Sequence, residues 1–509
     1  MIKTPKRNPS VVIIGAGMTG ILLTIKLHEA GITDITILEK KEKIGGTWRE
    51  NTYPGVACDV PAHLYSYSFE PNPEWSNRYA SGDEIQAYFE KVSRKYNVLE
   101  RVRFNEAVTD AEYSRGKWTV ESSVGNTYEA DFLISATGIL HHPFKPDFDG
   151  QESFKGAMFH TAEWDHSVDL KGKRVGIIGT GSTATQIICE LPKQADNLTV
   201  FQRTPQWIAP TPNREFSETI KQKCRDSRLR IEIAKKVYHT IFEQIFSKAL
   251  VGNKLSHFIL STACKLNLRL GVKDKELRKK LTPDYKVGCK RLVMSGDFYS
   301  AIQRQNVDLI TAGIECITES GVRTIDGKDH DLDVLVVATG FDPVAYMRPM
   351  TMKGKGGTSI DQTWQKKVRA YRSVLLPEQP NFFLMLGPNT PIGNFSVIEM
   401  SEVQVPYVLQ LIERWRENEY DEVACTQEAM EGFNQRLKDA MGDTVWTSGC
   451  QSWYLDADGD PLSWPFTWKQ WKQEMETPDM NDFMTARYPN KVKSKSKSKS
   501  KSTEEALVS

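Results

Sequence analysis

The 509-residue chain contains eight cysteines, yet it lacks any pair of them spaced C-x-x-C. The sequence therefore predicts neither a disulfide framework nor a zinc site, and we expect no metal centre. A short, basic and polar leader stands where a signal peptide would be expected in a secreted protein. Both features favour a reducing, cytoplasmic setting.

Long apolar runs are missing as well. The sequence has no stretch of about 18 or more uncharged apolar residues, so we expect no helix that spans a membrane. Residues 245–263 could form an amphipathic helix that lies on a membrane surface. The alternative, a helix packed against its own domain, is the more common use of such a segment.

Charge of one sign is not in excess. The net charge is +1, and residues 491–509 contribute +4 through six Lys and two Glu, so the rest of the chain carries −3. A body this close to neutrality gives no electrostatic reason to expect a nucleic-acid partner. The Lys-Ser alternation in 491–509 cannot bury a core, which predicts a disordered, solvated tail. The alternative use of the tail is electrostatic contact with an acidic partner or a membrane.

Glycine-rich loops dominate what the sequence does contain. Residues 11–14 read VVII, a β-branched run typical of a strand buried on both faces. Gly15, Gly17 and Gly20 follow at G-x-G-x-x-G spacing, where the backbone can approach a pyrophosphate and a helix N-terminus supplies amide donors. Glu39 ends the next predicted strand, where a carboxylate binds ribose hydroxyls and repels a 2′-phosphate. This unit predicts a dinucleotide site that suits FAD.

A second loop repeats the pattern with G-x-G-x-x-A spacing. The next predicted strand ends in FQRT, without a carboxylate. Arg203 and Thr204 suit a 2′-phosphate, so this unit predicts NADPH; the alternative is that Arg203 is an ordinary surface charge. The predicted cofactor-binding residues of the loop are Gly179, Thr180, Gly181, Ser182, Thr183 and Ala184.

Two further strand-like segments, 131–138 and 333–340, each end in Ala-Thr-Gly. Residues between about 212 and 285 are charged and helical in period. The predicted fold is therefore α/β, with two Rossmann-like dinucleotide-binding domains and a helical insertion. The predicted boundaries are 1–146 and 345–490 for a discontinuous FAD domain, 147–211 and 286–344 for the NADP domain, 212–285 for the helical insertion and 491–509 for the tail.

Two nucleotide sites in one chain imply a hydride donor beside a flavin. Disulfide reductases pass the electrons of the reduced flavin to a pair of cysteines, and no such pair is evident in this sequence. Oxygen is therefore the acceptor that the sequence favours.

The stretch FKGAMFHTAEWD, residues 154–165, resembles the fingerprint of type I Baeyer–Villiger monooxygenases, F-x-G-x-x-x-H-x-x-x-W-[P/D]. The related flavin-containing monooxygenases usually end this motif in Tyr or Phe, so Trp164 and Asp165 favour Baeyer–Villiger chemistry. The resemblance extends from about residue 10 to residue 485. The matched positions are Phe154, Gly156, His160, Trp164 and Asp165.

A second family motif is matched by GGTW at 45–48, YPG at 53–55 and Asp59. The resemblance implies that Tyr65 lies beside the flavin. It also implies that Trp453, in a mobile loop, contacts bound NADP, although Leu455-Asp456-Ala457 replaces the Gly-Ala-Asn of many members. The residues of the GGTW motif predicted to bind the cofactor are Gly46, Thr47 and Trp48.

The resemblance assigns distinct roles to a Lys-Arg pair. Lys290 would join Arg203 and Thr204 on the NADP 2′-phosphate. Arg291, positioned by Asp59, would stabilise a peroxyflavin anion and then the oxyanion of the substrate adduct. His160 and Trp164 would lie in the linker between the nucleotide domains and support domain movement, and we do not assign His160 as a general base.

The function implied by the resemblance is that of an FAD-containing, NADPH- and O2-dependent Baeyer–Villiger monooxygenase. It would convert a small-molecule ketone into an ester or lactone through a C4a-peroxyflavin. One alternative is a flavin-containing monooxygenase that oxidises nitrogen or sulfur centres. Another is a flavin-binding sensor or scaffold whose NADPH oxidation is uncoupled. The sequence does not identify the ketone, and a monomer is the favoured state.

Overall fold

The structure is a computed structural model that describes residues 6–365, 367–391, 395–450, 452, 454–456 and 458–488. Its main features are two parallel five-stranded sheets and a group of helices inserted between strands of the second. The predicted α/β fold with two Rossmann-like units is thereby confirmed. The predicted tail, 491–509, and Trp453 lie outside the described residues.

The first part of the chain alternates strands and helices before it turns to antiparallel strands. In chain order its elements are β1 (Val11–Ile14), α1 (Met18–Glu29), β2 (Ile35–Glu39), α2 (Thr47–Glu50), α3 (Gly82–Lys95), β3 (Val102–Phe104), β4 (Val108–Ser114), β5 (Lys117–Ser122), β6 (Thr127–Ala130) and β7 (Phe132–Ser135).

The middle part carries the second sheet and the helices. In chain order its elements are β8 (Ala157–His160), β9 (Arg174–Ile178), α4 (Ser182–Glu190), β10 (Asn197–Phe201), β11 (Ile208–Pro210), α5 (Glu218–Asp226), α6 (Arg228–Ile241), α7 (Lys248–Leu250), α8 (Lys254–Gly271), α9 (Lys275–Lys280), β12 (Val293–Ser295), α10 (Phe298–Ala301), β13 (Val307–Ile310), β14 (Ile314–Thr318), β15 (Gly321–Thr324), β16 (Asp329–Asp331) and β17 (Val334–Val337).

The last part returns to the first sheet. In chain order its elements are β18 (Thr351–Lys353), α11 (Ile360–Thr363), β19 (Phe382–Leu384), α12 (Val397–Arg416), β20 (Glu422–Cys425), α13 (Gln427–Asp439), α14 (Trp468–Glu474) and β21 (Phe483–Ala486).

The first sheet has the order β19-β7-β1-β2-β3, with every neighbouring pair parallel. All four residues of β1 are buried, as its β-branched composition predicts for a strand covered on both faces. Strand β19 comes from the last part of the chain. The first sheet is therefore completed by a segment that follows the whole second sheet in sequence.

The second sheet has the order β13-β10-β9-β17-β8, again with parallel neighbours. Helices α5 to α9 occupy the segment predicted to be a helical insertion. They are bracketed by β11 and β12, which pair in parallel from Ile208 opposite Val293. No helix of the described residues combines the length and the apolar character needed to cross a membrane.

One steric constraint is repeated in both sheets. Gly15 follows β1 with φ +100°, and a Cβ there would lie 2.8 Å from the carbonyl oxygen of Ala136, just after β7. Gly179 follows β9 with φ +116°, and a Cβ there would lie 2.5 Å from the carbonyl oxygen of Ala338, just after β17. Each glycine loop therefore packs against the Ala-Thr-Gly turn of the adjacent strand, which a side chain would prevent.

Gly179→Ala should lower the stability of the protein, because alanine at this φ is strained and its methyl group meets the Ala338 carbonyl. We expect a loss of about 1–3 kcal/mol in the free energy of unfolding, measured as a lower thermal midpoint. Gly181→Ala is the matched control, because its φ is −71° and no atom lies within 4 Å of the added Cβ. Equal midpoints for the two variants would contradict the constraint.

Candidate active site

A cavity of about 400 Å³ opens beyond the carboxyl ends of β1 and β2. Such edges of parallel sheets are where nucleotides bind in doubly wound folds. Gly15, Gly17 and Glu39 line one part of the cavity, and Asp59 and Arg291 line another. Residues predicted for a flavin site and for oxygen chemistry therefore share one cavity.

The loop at the start of α1 leaves room for a phosphate. Gly17 caps the helix without a side-chain hydrogen bond to its first amides, and a Cβ on Gly17 would lie 3.6 Å from Cα of Gly46. A Cβ on Gly20 would lie 2.0 Å from the carbonyl oxygen of Gly15. The helix and the loop therefore pack too closely for any side chain at position 20. The amides and the positive end of the helix dipole thus suit a pyrophosphate.

Glu39 is buried at the end of β2 and is held in one orientation. Its Oε2 accepts a hydrogen bond from the Ala16 amide at 2.9 Å, and its Oε1 accepts one from the Lys41 amide at 3.1 Å. Burial raises the pKa of the Glu39 carboxyl, while these two amides act against the rise. Each oxygen retains a lone pair that can accept from a ribose hydroxyl.

The aromatic residues predicted beside the flavin contact each other in the same cavity. Trp48 lies in α2, which begins at Thr47 directly after Gly46. Its Nε1 donates a hydrogen bond to the hydroxyl of Tyr65 at 3.0 Å, and the two rings meet edge to face at 5.5 Å. Burial raises the pKa of Tyr65 well above its usual range, so this hydroxyl stays neutral.

Arg291 and Asp59 form an ion pair on the cavity wall. Nη2 of Arg291 donates to Oδ2 of Asp59 at 2.7 Å, and both side chains are about a quarter exposed. The neighbouring Asp59 raises the pKa of the Arg291 guanidinium further above its usual range. The cavity therefore holds a permanently charged donor whose orientation is fixed by a carboxylate.

The loop that carries Asp59 rests on α4 of the second sheet. The hydroxyl of Tyr53 donates to Oε1 of Gln186 at 2.9 Å, and Nε2 of Gln186 donates to the Ala57 carbonyl at 3.0 Å. A Cβ on Gly55 would lie 2.7 Å from Cγ of Glu190. Burial raises the pKa of Tyr53 to about 12, and Thr183 of α4 hydrogen-bonds to it. Helix α4 therefore positions Asp59 and, through it, Arg291.

A second cavity, of about 720 Å³, lies beyond the carboxyl end of β10 and is lined by Arg203, Thr204 and Lys290. Thr180 ties the second glycine loop to this edge, because its hydroxyl donates to the Thr204 carbonyl at 3.0 Å. Burial and the like charge of Arg203 lower the pKa of Lys290. Two neighbouring cations that repel each other would be stabilised by an anion bound between them, such as a 2′-phosphate.

The second loop contributes to the first cavity and to the core, and none of its residues lines the second cavity. Gly181 caps α4 without a side-chain hydrogen bond and leaves its first amides accessible. Ser182 and Gln186 of α4 line the first cavity, whereas Ala184 is buried against the sheet. Helix α4 thus contacts the cavity that holds Arg291 and begins at the loop next to the cavity that holds Arg203.

The fingerprint motif forms an edge strand of the second sheet and the turn after it. His160 is the last residue of β8, opposite Val337, and its Nδ1 accepts from the Ala162 amide at 3.1 Å. Burial lowers the pKa of His160, so the ring is neutral near pH 7. Its contacts hold the turn, and neither cavity includes His160 among its lining residues.

The other positions of the fingerprint also have local partners. A Cβ on Gly156 would lie 2.4 Å from the Asp333 carbonyl, and Phe154 packs beside that glycine. Trp164 meets Phe159 edge to face at 5.0 Å. Oδ1 of Asp165 accepts hydrogen bonds from the amide and the hydroxyl of Ser167 at 2.9 and 2.6 Å. The motif therefore fixes the backbone where the chain enters the second sheet.

The prediction that the cysteines form no disulfide is wrong. Cys289 and Cys450 are paired, with Cα atoms 6.2 Å apart, while the other six cysteines are free. The two residues are 161 positions apart, so no local spacing could reveal the pair. Cys450 lines the second cavity, and neither cysteine lines the first. The pair is therefore not placed to take electrons from a flavin in the first cavity.

Sequence reasoning missed part of the second cavity. Lys279 and Lys280 of α9 and Tyr285 also line it, beside the acidic Glu276 and Asp284. The Lys290 ammonium lies 5.2 Å from the centroid of the Tyr285 ring. The basic run at 278–280 is the sequence feature that could have indicated these lysines. By itself, however, such a run is typical of any solvated helix end.

Comparisons with known proteins show which family this chain resembles. A family model described as pyridine nucleotide-disulphide oxidoreductase matches residues 12–248. An uncharacterized monooxygenase of Mycobacterium tuberculosis is 44% identical over 90% of this chain and 92% of its own length. A Baeyer–Villiger monooxygenase of Pseudomonas aeruginosa is 36% identical over 91% of this chain and 89% of its own length.

Solved structures with the same fold include two monooxygenases with bound NADP. Cyclohexanone monooxygenase from Rhodococcus sp. Phi1, bound to NADP+, superposes with a TM-score of 0.84 and 28% identity over 95% of this chain and all of that one. An oxidized steroid monooxygenase bound to NADP gives a TM-score of 0.83 and 28% identity over 94% of this chain and all of that one.

Peptide mapping should detect the disulfide directly. Protein purified without reductant, denatured and alkylated, should yield a peptide that links Cys289 to Cys450 and that disappears when a dithiol reductant is added first. Cys425 is the internal control, because its buried thiol is free and should be alkylated in either sample. Alkylation of both Cys289 and Cys450 without reductant would contradict the pairing.

Proposed function

The chain belongs to the Baeyer–Villiger monooxygenase family, and on that premise we propose that Arg291, positioned by Asp59, carries the chemistry specific to its reaction. The protein is an FAD-containing, NADPH-dependent monooxygenase that uses O2 to convert ketones into esters or lactones. The observation that carries the proposal is the Arg291–Asp59 ion pair on the wall of the first cavity.

We propose that FAD binds in the first cavity. The glycine loop and the N-terminus of α1 would hold its pyrophosphate, and Glu39 would bind the ribose hydroxyls. Trp48 and Tyr65 would support the flavin end. Bound FAD would supply the redox chemistry between NADPH and oxygen, whereas these residues would supply position, charge and exclusion of water.

We propose that NADPH binds along α4 with its 2′-phosphate in the second cavity. Arg203 and Lys290 would neutralise the phosphate, and Thr204 would donate a hydrogen bond to it. Lys279 and Lys280 face the same cavity and extend the positive region. The lowered pKa of Lys290 supports this role, because a bound phosphate would relieve the repulsion from Arg203.

The role proposed for Arg291 follows from where charge appears in this reaction class. Negative charge develops on oxygen before and during attack on the ketone carbonyl. A guanidinium held in a fixed orientation stabilises that charge without reorganising. Asp59 keeps the guanidinium oriented, and the hydrogen bonds between its loop and α4 connect this orientation to the helix along which NADPH would lie.

The domain boundaries, assembly and location are also proposals. We propose an FAD domain of 1–146 and 345–490, an NADP domain of 147–211 and 286–344, and a helical insertion of 212–285. The parallel strand β19 supports the discontinuity of the FAD domain. We propose a monomer in the cytoplasm; the six free cysteines support a reducing setting, and the Cys289–Cys450 disulfide argues against it. Light scattering of the flavin-loaded protein and cell fractionation test these two points.

Arg291→Ala should strongly slow ester formation while the protein stays yellow and still consumes NADPH. We expect the rate of ester formation to fall by about 10²–10³-fold, the usual effect of removing one preorganised donor, with hydrogen peroxide released instead. Product should be measured with linear, cyclic and aryl ketones and with a thioether offered beside them.

Arg323→Ala is the matched control, because Arg323 forms a similar ion pair with Asp329 on a surface hairpin away from both cavities. It should keep the ester yield of the wild type. A normal ester yield from Arg291→Ala would remove Arg291 from the mechanism. Wild-type protein that oxidises the thioether but none of the ketones would favour oxidation at sulfur or nitrogen instead.

Arg203→Ala should raise the KM for NADPH by at least about tenfold, because a charged contact to the 2′-phosphate is lost. The KM for NADH, which lacks that phosphate, should stay nearly unchanged and serves as the control. Lys290→Ala should have the same selective effect. An equal increase for both nucleotides would place the 2′-phosphate elsewhere.

A further inference from the structure

Helix α8 presents a row of large apolar side chains that no other described part of the chain covers. Each is between 46 and 69% exposed. The row extends from Leu255 to Leu270 of this 18-residue helix, which is about 22 Å at 1.5 Å per residue. The exposed residues are Leu255, Phe258, Ile259, Leu266 and Leu270.

These residues form one face of the helix. At 3.6 residues per turn, they fall within an arc of about 120°. Leu260, Cys264 and Leu268 are buried on the opposite side, where α8 packs against the core of the second sheet. Residues 254–263 of the segment predicted to be amphipathic belong to α8, whose one face packs inward while the other is apolar and exposed.

Helix α6 repeats this arrangement. Leu229, Ile233, Val237 and Ile241 are exposed at four-residue intervals, so they too follow one side of their helix. The other side is held to the first part of the chain, where Lys235 donates to the Ser66 carbonyl at 3.0 Å. The exposed apolar surface is therefore a property of the helical insertion and extends beyond α8.

The charged residues of α8 itself are all basic. Lys254, Lys265 and Arg269 are exposed along one edge of the face, and α8 contains no acidic residue. Residues 212–285 hold 17 Lys and Arg against eight Asp and Glu, a net charge of +9 in a chain whose total is +1. Apolar residues flanked by cations are the pattern of helices that lie in the interface of anionic membranes.

A second copy of this chain is a poorer occupant. A twofold dimer that packs the two α8 helices antiparallel through this face would bring their basic edges together, and no acidic residue of α8 would offset them. An anionic lipid surface has phosphates at its exterior and hydrocarbon beneath them. It therefore complements both the basic edge and the apolar row of α8.

We propose that the exposed face of α8 docks the protein on an anionic lipid surface as a peripheral contact. The cations on its edge meet lipid phosphates, and Leu255, Phe258 and Ile259 enter the boundary between head groups and acyl chains. The contact is independent of the catalytic proposal, since α8 contributes no residue to the lining of either cavity.

Sedimentation with vesicles tests the proposal on the flavin-loaded full chain. We expect binding to phosphatidylcholine vesicles that contain phosphatidylglycerol, and at least about tenfold weaker partitioning to phosphatidylcholine alone or at high salt. Leu255→Ser with Phe258→Ser removes apolar contact without changing charge. Lys254→Gln with Lys265→Gln and Arg269→Gln removes charge without changing the apolar row. Each set should weaken binding to the mixed vesicles at least about tenfold.

Ile325→Ser is the matched control, because Ile325 is 71% exposed on a surface hairpin and should bind vesicles like the wild type. All variants should keep their flavin and thermal midpoint, since the substituted side chains are exposed. Because every variant retains residues 491–509, binding that is unchanged in both sets would assign it to the tail and overturn the proposal. Absence of binding by the wild type would also overturn it. So would a dimer in light scattering that the Ser substitutions dissociate.

Discussion

The ion pair between Asp59 and Arg291 is the interaction on which the proposed site depends, because its two partners come from different parts of the fold. Asp59 lies in a loop of the first nucleotide unit, and Arg291 lies just before β12, next to the second unit. Gln186 of α4 contacts the loop that carries Asp59. The guanidinium is therefore oriented only when both units are folded and in contact. Without the carboxylate, a long side chain that remains charged at every relevant pH would lose the anionic partner that orients it.

The same packing rule shapes both units around that pair. In each sheet a strand ends in a glycine with positive φ that lies against the carbonyl of an alanine in the neighbouring Ala-Thr-Gly turn. This contact brings the loop close to the sheet and aims the first amides of a helix, α1 or α4, into open space. The two nucleotide sites differ at the end of the strand that follows each helix, which is β2 after α1 and β10 after α4. Glu39 offers a carboxylate, whereas the end of β10 offers Arg203 and Thr204.

Features that depend on short stretches of sequence could be predicted. The glycine loops, Glu39 and the parallel sheets follow from local spacing and from β-branched runs. The fingerprint was recognised, yet its physical role needed the structure: His160 caps a turn and Gly156 admits the Asp333 carbonyl at an edge strand. The Cys289–Cys450 pair and the place of Lys279 in the second cavity depend on contacts between distant segments, which no local pattern encodes.

Strand β19 has a consequence for how the protein is made. It joins β7 with Phe382 opposite Leu133, so about 250 residues separate neighbouring strands of one sheet. Every strand of the second sheet is translated between them. A ribosome therefore delivers the inner unit complete while the outer one still has an open edge, and the outer sheet closes only through a contact of very high sequence separation. The unit predicted to hold the flavin is thus the last to mature, and any chain that ends before residue 382 leaves its strand edge unpaired.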